Sequence, residues 1–472
     1  MYKIMLMKRS LLIFVVLFFS VSCFAQDITG AWYGALNVQG MKLRIVFHIS
    51  KSDTGYVSTM DSPDQGAKGI PVTTTTFNSP DLMLELPALG ITCEGKLEND
   101  TTIKCDFRQS GLTFPLILSR SRQPAEKAVR PQEPKKPYPY ISENVTFKNI
   151  KDSVTLAGTL TLPEKSGKFP VVILISGSGA QNRDEEIMGH KPFLVLADYL
   201  TRHGIAVLRY DDRGVGGSTG SMKTATSEDF VNDVMAAIKY LKTKKEIDKH
   251  KIGLIGHSEG GMIAPMVASR SKDVSFIVLL AGPGIRGADL LLKQEEEIYK
   301  ASGISDEQIK RSAKVNQALF NIILNTTDDT ALKEKLTNYL VKTFDKLPEQ
   351  ERPSGMDADD FTRMTVAKLT SPWMLYFLRY DPAPVLEKVK CPVLALNGSK
   401  DLQVNAKINL TGIRNALEKG GNKDFTIKDL PGLNHLFQEC TTGLPTEYSQ
   451  IEQTFSPAAL KIISDWIKSK TE

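Results

Sequence analysis

The sequence predicts an α/β protein: a mostly parallel sheet with an inserted helical cap, preceded by a small all-β domain. Three observations predict it. From residue 140 onward, strand and helix patterns alternate with loops of a few residues. Between about 287 and 384 that alternation gives way to helical patterns alone. Before residue 120 the apolar runs are short, rich in β-branched and aromatic residues, and separated by turn formers. The length of 472 residues calls for more than one domain. A hydrophobic content of 41% with 24% charged residues suits a soluble globular protein.

The first residues read as a targeting segment. Lys3, Lys8 and Arg9 precede the apolar run "LLIFVVLFF" and the small-residue stretch "SVSCFAQ". This is the layout of a secretory signal peptide over 1–25, cut after Ala25. In the alternative, Cys23 is a lipid-modified first residue, although Ser20 stands where such signals usually carry leucine. The run is too short for a membrane span. The expected location is periplasmic or extracellular in a bacterium. Three charges of the net +5 lie in this segment, and nothing in the remainder suggests a nucleic-acid partner.

Residues 26–120 are expected to form a small barrel or sandwich of about eight strands. His48 alternates with apolar neighbours and reads as a strand residue rather than a ligand. Cys93 and Cys105 flank "EGKLENDTTIK", a hairpin turning near Asn99-Asp100. Equal arms would put the two thiols opposite each other, so a cross-strand disulfide is expected, against the alternative of two buried free thiols. Cys391 and Cys440 read as core residues. Residues 121–139 carry five prolines among mixed charges and read as an extended linker.

The second domain spans 140–472. "NVTFKN" and "VTLAGTLTLP" read as a leading antiparallel pair, and "FPVVILISGSG" as a buried strand ending in glycines. A helix at "PFLVLADYLTRHG", a strand at "IAVLRYDDRG", a helix opened at Ser227, a strand at "HKIGLIG", a helix at "GGMIAPMVASR" and a strand at "VSFIVLLAGPG" follow. The Lys-rich stretch 242–251 reads as a solvated loop. After the cap come a strand at "CPVLALNG", a helix, a strand at "FTIKDLPG" and a closing helix.

Ser258 stands in Gly256-His257-Ser258-Glu259-Gly260, between a strand and a helix. A turn that sharp leaves no room for side chains two residues either side of the serine, and it strains the serine's backbone while exposing its hydroxyl. A serine hydroxyl needs a base, and the base an orienting acid. Of the six histidines, only His435 follows Ser258, in a loop just past a predicted strand. His257 is adjacent to Ser258, where the turn is expected to point it away; His190 is a less favoured rival, read as a loop or helix-start residue. Asp401 follows "CPVLALNGSK" directly and can orient His435, whereas Asp381 reads as a turn or cap residue. An oxyanion needs two N–H donors. One is expected from Glu259, the other from Ser178 in the loop Ser176-Gly177-Ser178-Gly179, with Gly179 in reserve. Arg213 reads as a brace between loops.

These residues resemble the α/β-hydrolase superfamily. Within it, "GSGAQNRDE", "YDDRGVGGSTG", "GHSEGG", "NGSKDLQV" and "GLNHLFQ" look like secreted bacterial EstD-type carboxylesterases, close to serine aminopeptidase-like hydrolases. The resemblance covers 140–472 and implies carboxylic ester hydrolysis through an acyl-enzyme, with Ser258 as nucleophile, Asp401 as orienting acid and His435 as base. The chain departs from many members in having Ser-Gly rather than His-Gly at 176–177. A small-molecule ester is then the expected substrate, with no metal or cofactor required. Trp373, Tyr376 and Phe377 near the end of the cap are candidates to line an acyl pocket, or simply to pack helices. Two rival readings remain. Asp184, Glu185 and Glu186 would hold a substrate amine in an aminopeptidase-like enzyme, or form a solvated acidic loop. Alternatively the β domain binds a ligand and the hydrolase domain is vestigial.

Overall fold

The computed structural model describes residues 27–38, 41–53, 55–63, 67–109, 112–121, 129–347, 352 and 357–472. The signal-peptide stretch, Cys23 and residues 122–128 of the expected linker lie outside them.

The N-terminal unit is one antiparallel sheet of nine strands among the described residues: β1 (Gly30–Val38), β2 (Met41–Ser52), β3 (Gly55–Ser62), β4 (Ala67–Val72), β5 (Thr74–Asn78), β6 (Asp81–Leu86), β7 (Ile91–Asn99), β8 (Thr102–Gln109) and β9 (Leu112–Ser119). Their order is β4-β3-β2-β1-β9-β8-β7-β6-β5. The sheet curls until its two ends meet, where Thr75 on β5 donates to Ser58 on β3 at 2.9 Å. Alternate residues point inward, so Trp32, Phe47, Leu84, Phe107 and Leu118 fill the interior. The result is a nearly closed barrel.

Two details differ from expectation. β3 is absent from the apolar runs because two of its buried positions are Ser58 and Ser62 and its outward face carries Thr59 and Asp61, and "GIPVTTTTF" divides into β4 and β5. The cysteines are not opposite each other: Cys93 faces Phe107, and Cys105 faces Gly95. The turn is centred on Asp100-Thr101, with Asn99 facing Thr102, so the two cysteines are not equidistant from it and miss each other by two residues of register. Both thiols are free and buried, and the Cys105 thiol donates to the Leu116 carbonyl at 3.4 Å.

The second sheet has eight strands: β10 (Ile141–Asn149), β11 (Val154–Leu162), β12 (Phe169–Ile175), β13 (Ala206–Tyr210), β14 (Ile247–His257), β15 (Phe276–Leu280), β16 (Val393–Gly398) and β17 (Phe425–Leu430). The order is β10-β11-β13-β12-β14-β15-β16-β17, antiparallel through β10, β11 and β13, then parallel from β13 to β17. Residues 247–251, expected in a solvated loop, open β14 instead. The helices are α1 (Pro192–Arg202), α2 (Ser227–Leu241), α3 (Gly260–Ala268), α4 (Gly287–Ala301), α5 (Asp306–Leu324), α6 (Asp329–Phe344), α7 (Ala358–Leu369), α8 (Pro372–Arg379), α9 (Ala383–Leu386), α10 (Ala406–Lys419) and α11 (Pro457–Thr471).

Period-2 alternation sorts each buried strand onto two faces. Val172, Leu174, Ile255 and Val278 pack against α1 and α11, while Val171, Ile173, Leu254 and Ile277 pack against α2, α3 and α10. That is why these strands read as continuous apolar runs. α2 is capped by Thr226 rather than Ser227: Thr226 and Asp229 form a reciprocal capping box. Helices α4 to α8 enclose a separate small core of Leu319, Ile323, Leu336 and Leu378. They enter the chain between β15 and β16, so they stand over the C-terminal ends of the parallel strands.

The described end of the linker is docked rather than free. The Arg130 guanidinium donates to the carbonyls of Ile451 and Ser449 at 2.7 and 3.0 Å, and of Met188 at 3.2 Å. Gln132 accepts from the Thr454 amide at 2.6 Å and donates to the Phe455 carbonyl at 2.6 Å.

Candidate active site

Ser258 has φ +53, the left-handed region that a non-glycine residue enters at a cost of about 1–3 kcal/mol. The flanking glycines explain how the turn closes. A Cβ on Gly256 would lie 1.9 Å from the Gly260 carbonyl oxygen, and one on Gly260 would lie 2.1 Å from that of Ile175. The Ser258 amide donates to the Leu280 carbonyl at 2.8 Å, which pins the elbow to β15.

His435 and Asp401 meet from two other loops. Gly398 ends β16 with its Cα so close to Leu433 that a Cβ would lie 2.2 Å from the Leu433 carbonyl oxygen. Past it, Asp401 is buried, its Oδ1 accepting from the amides of Gln403 and Val404, both at 2.8 Å. Its Oδ2 is 2.7 Å from His435 Nδ1. Asn434 shapes the His435 loop: its side-chain oxygen accepts from the amides of Leu436 and Gln438, each at 3.0 Å. The loop is tied to the elbow, because His257 Nε2 donates to the His435 carbonyl at 2.9 Å. Among the described residues the Ser258 hydroxyl makes no hydrogen bond in this state.

The loop after β12 lies against the serine. A Cβ on Gly177 would be 3.2 Å from Ser258 Cβ. The Gly177 amide is taken by Glu185 Oε1 at 2.7 Å. Ser178 comes next and is exposed, and Gly179 follows with φ +97. Neither the Ser178 nor the Glu259 amide has a hydrogen-bond partner among the described residues. Asp212 braces this loop from below, accepting from Ser176 Oγ at 2.8 Å and from the Gln181 amide at 3.0 Å.

Burial pushes the Asp212 carboxyl up to about 8, against those two hydrogen bonds and with help from the Glu259 and Glu185 charges. The fold therefore holds a proton that the unfolded chain, near 3.8, has lost. This group's contribution to stability is fully present below about pH 4 and is lost as pH rises through about 8. Asp212→Asn keeps the side chain neutral at every pH but surrenders one acceptor. Urea unfolding at about pH 5 and about pH 8.5 is expected to show the variant improving relative to wild type at the higher pH. A difference independent of pH would reject the assignment.

The structure places three of these groups differently from expectation. His257 points into the site rather than away from it: its Nδ1 is 2.9 Å from Glu185 Oε1, and its ring centroid is 4.8 Å from that of His435. The acidic loop is not solvated. Asp184 pairs with the buried Arg209, and Glu185 is only 3% exposed; Glu186 alone faces solvent. The Glu259 side chain is buried as well. It accepts from Ser227 Oγ at 2.5 Å and from Trp373 Nε1 at 2.9 and 3.0 Å, joining the elbow to α2 and to cap helix α8. Burial holds its carboxyl above the usual range.

Of the other candidates, Phe377 is buried and stacks on Trp373 at 5.1 Å, and the Tyr376 hydroxyl reaches Glu228 at 3.4 Å. Arg213 bridges Asp233 and Asp152, each at 2.8 Å, beneath the loops. His190 is fully buried between Thr454 Oγ1 at 3.0 Å and the Tyr448 carbonyl at 2.7 Å. Burial depresses its pKa to about 4, so it is a neutral packing residue. Asp381 is a turn residue before the short α9, its Oδ1 accepting from the Ala383 amide at 3.0 Å. His48 pairs with Asp61 on the barrel exterior at 3.0 Å.

Comparison with known proteins bears on the same region. The Hydrolase_4 family, described as serine aminopeptidase, S33, matches residues 191–342, a stretch that contains Ser258 but neither Asp401 nor His435. Esterase EstD of Thermotoga maritima is 28% identical over 282 residues, which cover 60% of this chain. The match spans 58% of EstD's own length. Among solved structures, an esterase from Pyrococcus furiosus aligns over 70% of this chain and 91% of its own at 17% identity and a TM-score of 0.41. The hypothetical protein PA2218 from Pseudomonas aeruginosa aligns over 74% and 98% at 16% identity and a TM-score of 0.44. The strand order and the strained serine elbow at the end of β14 are those of an α/β-hydrolase fold, and the chain is similar to esterase EstD over 60% of its length.

Proposed function

We propose that this chain is a serine hydrolase that cleaves small carboxylic esters and, on the pattern of residues 1–25, is exported. Ser258 Oγ attacks the ester carbonyl while His435 Nε2 takes its proton. Asp401 holds the Nδ1 proton and stabilises the imidazolium. The amides of Glu259 and Ser178 bind the oxyanion. The protonated imidazole returns its proton to the departing alcohol. Water, deprotonated by His435, then attacks the acyl-serine; the acyl–Oγ bond breaks, the acid is released, and the imidazolium returns its proton to Ser258 Oγ.

The observation that carries this reading is the buried Asp401–His435 pair, 2.7 Å apart, anchored through the His435 carbonyl to the residue before a strained serine. The similarity to EstD supports the ester class. An aminopeptidase would need a carboxylate free to hold the substrate's ammonium group. Asp184 and Glu185 are already committed to Arg209 and His257, which leaves only the solvent-facing Glu186 for that role and weakens the peptidase reading.

Turnover of a short p-nitrophenyl ester is expected to exceed that of an amino-acid arylamide with matched acyl group by at least about a hundredfold in kcat/KM, a difference of about 3 kcal/mol in transition-state stabilisation. Preference for the arylamide would replace this reading with the peptidase. Failure of a fluorophosphonate to label Ser258 would favour a binding protein.

A further inference from the structure

The active-site geometry contains a second histidine–carboxylate pair that the ester mechanism does not use. Glu185 is buried and has φ +51, a conformation a glutamate keeps only when its contacts outweigh the strain. Its Oε1 accepts from the Gly177 amide at 2.7 Å and lies 2.9 Å from His257 Nδ1. On the other side of the ring, Nε2 lies 2.9 Å from the His435 carbonyl oxygen. Three segments therefore converge on one imidazole: the oxyanion loop through Glu185, the elbow through the His257 backbone, and the loop of the general base.

Hydrogen-bond chemistry limits the protonation state. A carbonyl oxygen only accepts, so His257 Nε2 must carry a proton. Nδ1 faces a carboxylate oxygen that already accepts an amide, and the fitting partner there is a second N–H. Both ring nitrogens are then donors, and the ring is an imidazolium. Burial alone would disfavour that charge, but the Glu185 carboxylate and its hydrogen bond, the His435 carbonyl and Asp401 outweigh it and raise the His257 pKa. The other ionisable group facing the ring is His435 itself, at 4.8 Å between centroids.

We propose that the buried Glu185–His257 ion pair is a positioning device for ester hydrolysis, with His257 doubly protonated. Resting on the triad reading above, it sets two distances at once. By claiming the Gly177 amide, Glu185 turns that N–H away from Ser258 and leaves the next amide, that of Ser178, to face the substrate oxygen. By gripping the His435 carbonyl, His257 holds the base at a fixed height beside the nucleophile. Neither residue touches substrate. Both contacts matter most when charge develops in the transition state, so their loss should fall on kcat rather than on KM.

The test has two arms. Selective 15N-histidine labelling of the full chain reads the His257 ring directly. Both nitrogens are expected to remain protonated from about pH 6 to about pH 8; a neutral ring with one protonated nitrogen at pH 7 would overturn the proposal. The second arm is Glu185→Gln, which keeps shape and one acceptor but removes the counter-charge. It is expected to lower kcat tenfold or more, with KM within about twofold and with His257 turned neutral in the same spectrum. Unchanged kcat in a folded variant would also overturn the proposal. Fluorophosphonate labelling of the wild-type serine separates this from the triad: no labelling sinks the triad, whereas normal labelling with unchanged Glu185→Gln kinetics sinks the positioning pair alone.

Discussion

Ser258→Ala is expected to lower kcat on a short p-nitrophenyl ester by about 10⁵–10⁶-fold while leaving the fold intact. The size follows from the role. With the oxygen gone no acyl-enzyme can form, and His435 has no bound nucleophile to deprotonate. The residual rate belongs to the oxyanion amides and to substrate binding, which still favour attack by water. The fold should survive because Ser258 contributes its backbone, not its side chain, to the elbow: the amide still donates to Leu280 at 2.8 Å, and the carbonyl still accepts from Gly261 at 2.9 Å. Alanine carries the same left-handed strain as serine at φ +53. Stopped and steady-state assays, with a thermal melt as control, check both halves. Normal turnover in the variant would remove Ser258 from the chemistry.

The elbow was readable in the sequence because its requirement is local. Gly256 and Gly260 are excluded from bearing a side chain by atoms within four residues and by the adjacent β12 strand, so steric need appears as a short motif. The parallel sheet was readable for a similar reason: strands such as 171–175 are buried on both faces and leave no polar position. The helical cap was visible as a break in that alternation.

What escaped the sequence is polar and non-local. Glu185 looks like a solvated acidic residue until the turn at 176–179 and His257 fold onto it, and nothing in "NRDEE" distinguishes the buried carboxylates from the exposed one. The orientation of His257 is set by partners 72 and 178 residues distant, not by its neighbours along the chain. Arg130 looks like a linker charge, yet it satisfies carbonyls more than three hundred residues away. The two cysteines miss each other for a smaller reason: the hairpin turns at Asp100-Thr101, beyond the midpoint between them. The sequence does carry one local signal: a glutamate directly after Ser258, within an otherwise apolar helix start, is costly to bury and so implies fixed donors, here Ser227 and Trp373.

Asp401→Asn should reduce kcat by about 10⁴-fold with little change in structure, and the surrounding hydrogen bonds say why. Asp401 Oδ1 accepts from two backbone amides, those of Gln403 and Val404. In the variant only the amide oxygen can satisfy them, so the side-chain NH₂ must occupy the Oδ2 position, 2.7 Å from His435 Nδ1. An NH₂ there donates. His435 Nδ1 is forced to accept, its proton moves to Nε2, and the nitrogen that the proposed mechanism needs as base can no longer take a proton. The imidazole stays in place in the wrong tautomer, so KM should hold while kcat collapses. Alanine at 401 would instead free the ring and leave the two amides without a partner, adding instability to the kinetic loss. The contrast is diagnostic. If Asp401→Asn and Asp401→Ala lower kcat only a few-fold, the carboxylate serves the loop alone, and the acid that orients His435 must be sought elsewhere.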